Sequence, residues 1–401
     1  MNDLALILLS NFFGGLLVNI LLLPEFFGYI LAGILLGPGG YIHNEVQVET
    51  ISKGLGVIFI MFHLGLEFNL SKIRKMFVVS ILGSTLLLLV TIGASYFAGS
   101  YYNRTPAECF TVGSCLFLSS TVVVLHFLRP SEVDLGYGRI IMGILVTQDV
   151  LLGFLLMIIP AMKSSHLSLS AIVAEIIYPL IAFLCICAVI GPIFRFALSK
   201  LSQNIRSRES FLMGAIAFCL SVYQIGAYFG QSLELSCFVA GVICAGDARL
   251  SEKIIAATQQ LKSVFSAMFF ASLGLHLYPS FFMNELILLI VLAIFCMLFK
   301  IVCTFLVMWI IFRRTFRESF LVGVGLGQIS EFVFVLASRA KQSGIIGREG
   351  FYLLIGTTAI SMIFSPLLWS FVVGVYQKID ERQSINELDG SLLEVANSHF
   401  A

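Results

Sequence analysis

Charged residues are scarce in this sequence. Lys, Arg, Asp and Glu make up 12% of its 401 residues, against about 25% in an average soluble domain. Hydrophobic residues make up 59%. This composition excludes an ordinary soluble protein and predicts an integral, multi-pass protein embedded in membrane lipid. The net charge of +1 gives no reason to expect a nucleic-acid partner.

Patterns typical of disulfide or metal frameworks are also absent. The nine cysteines form no Cys-x-x-Cys pair, and almost all of them lie within apolar runs. We interpret them as small buried hydrophobic residues. The first apolar run follows Asn2 and Asp3 without a basic segment or a cleavage site, so no removable signal peptide is expected.

Apolar runs long enough to cross a bilayer recur along the chain and predict an all-α fold. We count about 13 transmembrane segments, beginning near residues 4, 26, 54, 76, 108, 139, 170, 208, 231, 262, 284, 317 and 350. The second, third, ninth and tenth are interpreted as short. Most lysines and arginines in loops and at helix ends fall on one side, which predicts a non-cytoplasmic N-terminus and a cytoplasmic C-terminus.

Two glycine motifs repeat at nearly the same spacing. Ala32-Gly33 matches Ala240-Gly241, with 240 − 32 = 208, and Gly65 matches Gly274, with 274 − 65 = 209. Matching segments are then seven crossings apart, which predicts inverted six-helix repeats. The predicted units are residues 1–162 and 208–378, joined by a connecting helix at 163–207 and followed by a tail at 379–401. Alternatively, small-residue patterns recur by chance in helix bundles.

Two segments in matching repeat positions carry glycine and hydroxyl residues at mid-depth. These are Ser119, Ser120 and Thr121 in one, and Gly325, Gly327 and Ser330 in the other. Such positions tolerate unwinding, so both segments are predicted to be broken helices whose free carbonyls can meet an ion. Close helix packing is the alternative explanation for the glycines.

Asp149, Lys300 and Glu331 lie deep in long apolar segments, where ionisable residues are costly and usually functional. A proton and a monovalent cation can compete for one such carboxylate, which predicts antiport without net charge movement at Asp149. Lys300 needs a partner, for which Glu331 or Asp149 are the candidates, and a Lys300–Glu331 pair could be purely structural. Lone histidines at positions 63, 126 and 276 are interpreted as packed residues rather than pH sensors.

A single carboxylate cannot replace the hydration shell of a cation, so the site needs further oxygen ligands. The candidates are Ser119, Ser120, Thr121 and Gln148. An intramembrane aspartyl protease would need a second facing aspartate, which Asp149 lacks. A cation channel would normally need no lone titrating group beside a buried lysine. The residues therefore favour a secondary transporter without catalytic residues, cofactor or metal beyond the transported cation.

Seven stretches together resemble the monovalent cation:proton antiporter-2 family, in its Kef-type potassium-efflux branch. They are FGYILAGILLGPGG, GVIFIMFHLGLEFNLSKI, LFLSSTVVVLHFL, TQDVLLG, FVAGVICAG, FFASLGLHL and GQISEFVFVLAS. The resemblance implies a sodium/proton antiporter-like fold, a homodimer and a core domain that moves like an elevator. The family's Gln-Asp pair falls on Gln148 and Asp149, which implies K⁺ rather than Na⁺ and electroneutral exchange.

The chain departs from the bacterial members of that branch in one respect. They usually carry a dinucleotide-binding regulatory domain, whereas only a short tail follows the last predicted span. The sequence Gly-Val-Gly-Leu-Gly at 323–327 lies within an apolar segment and lacks the strand-turn-helix setting of a nucleotide loop. Nucleotide gating is therefore not expected.

Overall fold

The computed structural model describes residues 2–20, 25–37, 45–67, 77–129, 132, 135–162, 178–204, 208–231, 233–275 and 279–399. The start of the predicted connecting helix, at 163–177, and His276 lie outside these ranges. Within them the structure is helical, with a π-helical turn at Val307–Ile311. The helices are α1 (Asn2–Ile20), α2 (Glu25–Leu36), α3 (Glu45–Glu67), α4 (Phe77–Tyr101), α5 (Pro106–Phe117), α6 (Thr121–Phe127), α7 (Gly136–Ala161), α8 (Tyr178–Asn204), α9 (Arg208–Tyr228), α10 (Leu233–Ala245), α11 (Ala248–Leu275), α12 (Pro279–Leu306), α13 (Phe316–Gly325), α14 (Phe332–Gln342) and α15 (Arg348–His399).

The described helices confirm the multi-pass, all-α prediction. Eight helical stretches are long and apolar enough to cross a membrane, and shorter apolar helices occur at Glu25–Leu36, Leu55–Glu67 and Leu235–Ala245. The total of about 13 crossings stays a prediction. Of the four segments predicted to be short, α2 and α10 have 12 and 13 residues, but α3 and α11 have 23 and 28. For the third segment the apolar part of the helix, Leu55–Glu67, is short as predicted. For the tenth the prediction was wrong, because α11 begins at Ala248, and polar residues before the apolar run belong to the same helix.

The helices pack into two bundles. The first, which we call the glycine-packed bundle, contains α1 to α3 and α8 to α11; the second, the crossing bundle, contains α4 to α7 and α12 to α15. Most close helix pairs lie within one bundle, and α7 against α10 is the main pair between them among the described helices. Most cysteines are buried and all nine are free, as the sequence predicted.

Two glycine pairs hold the glycine-packed bundle together. Gly33 faces Gly274, and Gly65 faces Gly241; a Cβ atom added at any of them would collide with the backbone of the partner helix. These are the glycines of the repeated motif. When each glycine is replaced by its match in the other repeat, the Gly33–Gly274 contact becomes the Gly241–Gly65 contact. This is the relation expected of repeats related by a two-fold axis. The repeat boundaries themselves stay a prediction.

Two segments of the crossing bundle begin with the same local signal. Thr105 forms a capping box with Glu108 at the start of α5. The hydroxyl of Thr315 accepts a hydrogen bond of 3.2 Å from the Glu318 N–H at the start of α13. Caps of this kind satisfy free N–H groups and determine where a helix begins. Both helices then end partway through their segment.

Candidate ion-binding site

The two predicted breaks are present and lie against each other. α5 ends at Phe117 and the chain resumes as α6 at Thr121; α13 ends at Gly325 and the chain resumes as α14 at Phe332. The Ser119 hydroxyl donates to the Leu326 carbonyl at 2.9 Å. Gly327 and Ser330, predicted from sequence, both lie in the second break, and Gly325 is the last residue before it.

The crossing is also joined through the backbone. The Ser330 N–H donates to the Leu118 carbonyl at 3.2 Å. The Gln328 side-chain amide donates to the Ser120 carbonyl at 3.3 Å. Backbone groups freed by a broken helix must find partners inside the protein, because lipid offers none. Here each break supplies partners for the other.

Gln148 braces the first break from α7. Its Oε1 accepts from the Ser119 N–H at 3.0 Å, and its Nε2 donates to the Phe117 carbonyl at 2.9 Å. The side chain is 1% exposed. Gln148 was predicted as a cation ligand, but both ends of its amide are engaged with backbone. Its position therefore favours a supporting role beside the ion site.

Lys300 reaches the crossing from α12. Its Nζ donates to the Leu118 carbonyl at 2.8 Å, the Ser119 hydroxyl at 3.0 Å and the Gln328 carbonyl at 2.6 Å. A helix C-terminus carries about half a negative charge, and the ammonium lies where α5 and α13 both end. The predicted carboxylate partner is not among the contacts of Lys300 within the described part of the chain.

Two serines of α15 support the second break, and they were not predicted from the sequence as part of the site. The Ser365 hydroxyl donates to the Gln328 Oε1 at 3.1 Å, and the Ser361 hydroxyl accepts from the Ile329 N–H at 3.1 Å. Ser361 and Ser365 lie one turn apart on α15, in a segment that reads as apolar. A polar pair at that spacing inside an apolar run was the available signal.

Asp149 lies in the middle of α7, beside the crossing, and is 7% exposed. The Thr121 hydroxyl donates to its Oδ2 at 3.3 Å. Asp149 and Thr121, both predicted as ligands of the cation, are therefore in direct contact. Glu331 and Glu67 lie close enough for their charges to act on Asp149.

The serine hydroxyls near Asp149 are largely committed to structure. Ser120 accepts from the Val123 N–H at 3.1 Å and caps α6. Ser330 accepts from the Phe332 N–H at 3.2 Å at the start of α14. The carbonyl of Ser119 accepts no hydrogen bond among the described contacts, so it is free to meet an ion.

A cavity of about 590 Å³, which we call the vestibule, is lined by residues of both bundles beside this site. Thr121 and Glu331 line it from the crossing bundle, and Glu25, Glu67 and Lys262 line it from the glycine-packed bundle. Thr121, which lines the vestibule, is hydrogen-bonded to Asp149. Glu331, one of the two candidate partners of Lys300, instead faces this cavity.

His63 supports the interpretation of the lone histidines as packed residues. It is completely buried, and its Nε2 lies 2.6 Å from the Thr258 hydroxyl across the α3–α11 interface. The side chain of the histidine at position 126 and all of His276 lie outside the described part of the structure.

Known proteins are similar to this chain over most of its length. The human transmembrane and coiled-coil domain-containing protein 3 is 32% identical over 87% of this chain and 54% of its own length. K(+) efflux antiporter 5 of Arabidopsis thaliana is 32% identical over 99% of this chain and 72% of its own length. The chain thus spans about half of the first relative.

A solved structure has the same fold. The sodium proton antiporter of Methanocaldococcus jannaschii superposes with a TM-score of 0.66 over 93% of this chain and 96% of its own, at 15% identity. The family model described as "Sodium/hydrogen exchanger, transmembrane" matches residues 7–373. The chain therefore belongs to the sodium/hydrogen exchanger family of membrane transporters.

Proposed function

We propose that this protein exchanges a monovalent cation, preferably K⁺, for H⁺ at Asp149. The observation that carries the proposal is the placement of one buried carboxylate against the crossing of two broken helices, hydrogen-bonded to Thr121, which lines a cavity. A carboxylate held there can bind a proton or a metal cation, but not both at once. Binding one therefore releases the other, which couples their movements.

The ligands of the cation follow from the groups left unused by the crossing. Asp149 supplies a carboxylate oxygen, Thr121 a hydroxyl and Ser119 a backbone carbonyl. A bare K⁺ needs several such oxygens to replace its hydration shell. Water in the vestibule completes the set. Gln148 holds Ser119 in place and acts through it.

Electroneutral exchange is part of the proposal, and the contacts of Lys300 support it. Its ammonium is balanced by the ends of two helices, each carrying about half a negative charge, and it is held by three neutral oxygens. In the proposed cycle Lys300 serves as a fixed link between the two breaks and takes no part in the exchange. Asp149 alone changes occupancy, so one proton is exchanged for one cation.

The preference for K⁺ over Na⁺ rests on the relatives and on position 148. One relative is named a K(+) efflux antiporter and matches nearly the whole chain, whereas the solved structure is named a sodium proton antiporter. A neutral glutamine beside Asp149 keeps the charge density of the site low, which suits the larger and less strongly hydrated cation. Na⁺/H⁺ exchange is the second candidate, and the assay below separates the two.

Transport requires Asp149 to face each side in turn. The glycine-packed bundle is closely packed, and the vestibule separates much of it from the crossing bundle. We infer that the crossing bundle moves like an elevator against the glycine-packed bundle, which also forms the interface of a homodimer. With the N-terminus outside, the ends that carry Glu25 and Glu67 are cytoplasmic, and the vestibule opens inward.

The test is ion-dependent proton flux in liposomes that contain the purified full chain. Dissipation of a pH gradient is followed while K⁺, Na⁺ and Li⁺ are varied at constant ionic strength. K⁺ should give the lowest half-saturating concentration, and Asp149→Asn should give no ion-dependent flux while it elutes as a folded protein. Wild-type flux in Asp149→Asn would refute the proposed site, and a lower half-saturating concentration for Na⁺ would favour the second candidate.

A further inference from the structure

We propose that Lys262 sets the apparent affinity of the vestibule for the transported cation. Its ammonium neutralises Glu67 or Glu331 while the vestibule is empty, and the entering cation takes its place. This inference rests on the proposed function, because it assigns a role to a residue on the path to Asp149. Lys262 is the one basic residue among those that line the described vestibule, against the carboxylates of Glu25, Glu67 and Glu331.

The register of α3 against α11 shows the level at which the Cα atom of Lys262 lies. His63 contacts Thr258, and the ring of Phe59 stacks on Phe265 with centroids 5.3 Å apart. Lys262 lies between Thr258 and Phe265, so its Cα is level with the part of α3 between Phe59 and His63. Ile60, at that level of α3, lines the vestibule.

The ammonium, however, lies toward the C-terminal end of α3. Its Nζ is 3.6 Å from the Glu67 Oε1, at the last residue of α3. Since a helix rises about 1.5 Å per residue, the side chain must extend along the vestibule wall to reach Glu67. A lysine has a flexible four-carbon stem, so another rotamer can direct the same ammonium inward.

Glu331 is the inward partner. It lines the same cavity from the crossing bundle and is 5% exposed. The charge of Lys262 is close enough to act on it. Glu25 accepts from the hydroxyl of Tyr29 at 2.9 Å, and Glu331 accepts from the hydroxyl of Ser330 at 3.4 Å. Glu67 and Glu331 are the two carboxylates on which the charge of Lys262 acts, and we take them as the positions between which the ammonium moves.

The Lys262–Glu67 pair is suited to exchange because it is weak. The side chains are 29% and 53% exposed, and such pairs are largely screened by water and salt. A K⁺ ion that enters the vestibule can therefore displace the ammonium from a carboxylate at little cost. If the carboxylates of the vestibule were always neutralised, they would attract fewer cations. If no ammonium compensated them, they would release the cation too slowly.

A plain structural salt bridge makes a different prediction. Removing either partner of a bridge that only joins α3 to α11 would lower stability in the same way and leave cation affinity unchanged. If the charge of Lys262 competes with the cation, removing Lys262 and removing Glu67 should shift the half-saturating cation concentration in opposite directions. Lys262→Gln should lower the half-saturating cation concentration, and Glu67→Gln should raise it.

The experiment measures K⁺-dependent proton flux for wild type, Lys262→Gln, Lys262→Arg and Glu67→Gln in liposomes, with choline chloride holding ionic strength constant. Removal of one charge across a partly hydrated cavity predicts an about three- to tenfold lower half-saturating K⁺ concentration in Lys262→Gln. Lys262→Arg keeps the charge and should stay within about twofold of wild type. Repeating the whole series at a higher constant ionic strength should shrink the effect of Lys262→Gln, because salt screens it.

Lys253→Gln is the matched control, since Lys253 is exposed on the same helix and does not line the vestibule. It should leave the half-saturating concentration unchanged. An unchanged or raised value in Lys262→Gln, or shifts of the same sign in Lys262→Gln and Glu67→Gln, would overturn the inference. Absence of ion-dependent flux in the wild type would instead overturn the proposed function.

Discussion

Replacing Gln148 with Asn or Asp should release the brace on the first broken helix. Gln148 spans from the Ser119 N–H to the Phe117 carbonyl, with distances of 3.0 and 2.9 Å. Asn and Asp are each one methylene shorter and cannot reach both groups. Asp also has no donor for the Phe117 carbonyl and adds a negative charge beside Asp149.

The cost can be bounded from the two hydrogen bonds. A buried hydrogen bond contributes about 1 kcal/mol, and an unsatisfied buried carbonyl costs about 1–3 kcal/mol. Side-chain hydrogen bonds within membranes average about 0.6 kcal/mol, which sets the lower end. Each variant should therefore lose about 1–4 kcal/mol of stability, and the Ser119 carbonyl should lose its fixed position.

Comparison of the two variants separates geometry from charge. Thermal stability of each purified protein is measured by size-exclusion chromatography after heating, and flux is measured in liposomes with K⁺ and Na⁺. Both variants should melt at lower temperature and transport more slowly than wild type. Only Gln148→Asp should change ion preference or produce transport currents on a solid-supported membrane, because only it adds a carboxylate, whose titration would couple to that of Asp149.

A Gln148→Asn protein with the melting temperature and flux of wild type would show that the brace contributes nothing. Equal ion preference and silent currents in Gln148→Asn and Gln148→Asp would remove any role of the charge at position 148 in stoichiometry.

The other predictions concern the ligands and the packing. Thr121→Val keeps the shape of the side chain but deletes the oxygen beside Asp149, so the half-saturating K⁺ concentration should rise with little loss of folded protein; an unchanged value would exclude the Thr121 hydroxyl from the site. Ser330→Ala should cost about 1 kcal/mol of stability, because Ser330 hydrogen-bonds the first N–H of α14, while the half-saturating K⁺ concentration stays the same; a raised concentration would place Ser330 among the ligands. Gly33→Ala should lower the melting temperature and the yield, since its Cβ would collide with the backbone of α11. Gly93→Ala is the control, because a Cβ at Gly93 meets nothing within 4 Å; equal melting temperatures for the two alanine variants would contradict the packing argument.

Local signals in the sequence were sufficient for the membrane class and for selecting the main residues of the candidate site. The apolar runs predict helices because lipid leaves the backbone no other partners. Asp149 and Lys300 stand out because a charge in such a run is costly. Clusters of glycine and hydroxyl residues predict both breaks, since the same residues that tolerate unwinding also supply caps. None of these inferences needs a contact between distant parts of the chain.

Pairing between distant residues was decided only by the tertiary structure. The sequence places Lys300, Glu331 and Gln148 near the site but leaves their partners open. In the fold, Lys300 meets carbonyls at the ends of two helices, Gln148 braces a backbone gap, and Glu331 turns to the vestibule. The physical reason is that hydrogen-bond partners depend on how two broken helices cross. The vestibule and the position of Lys262 within it likewise arise from how the two bundles pack, which no local pattern encodes.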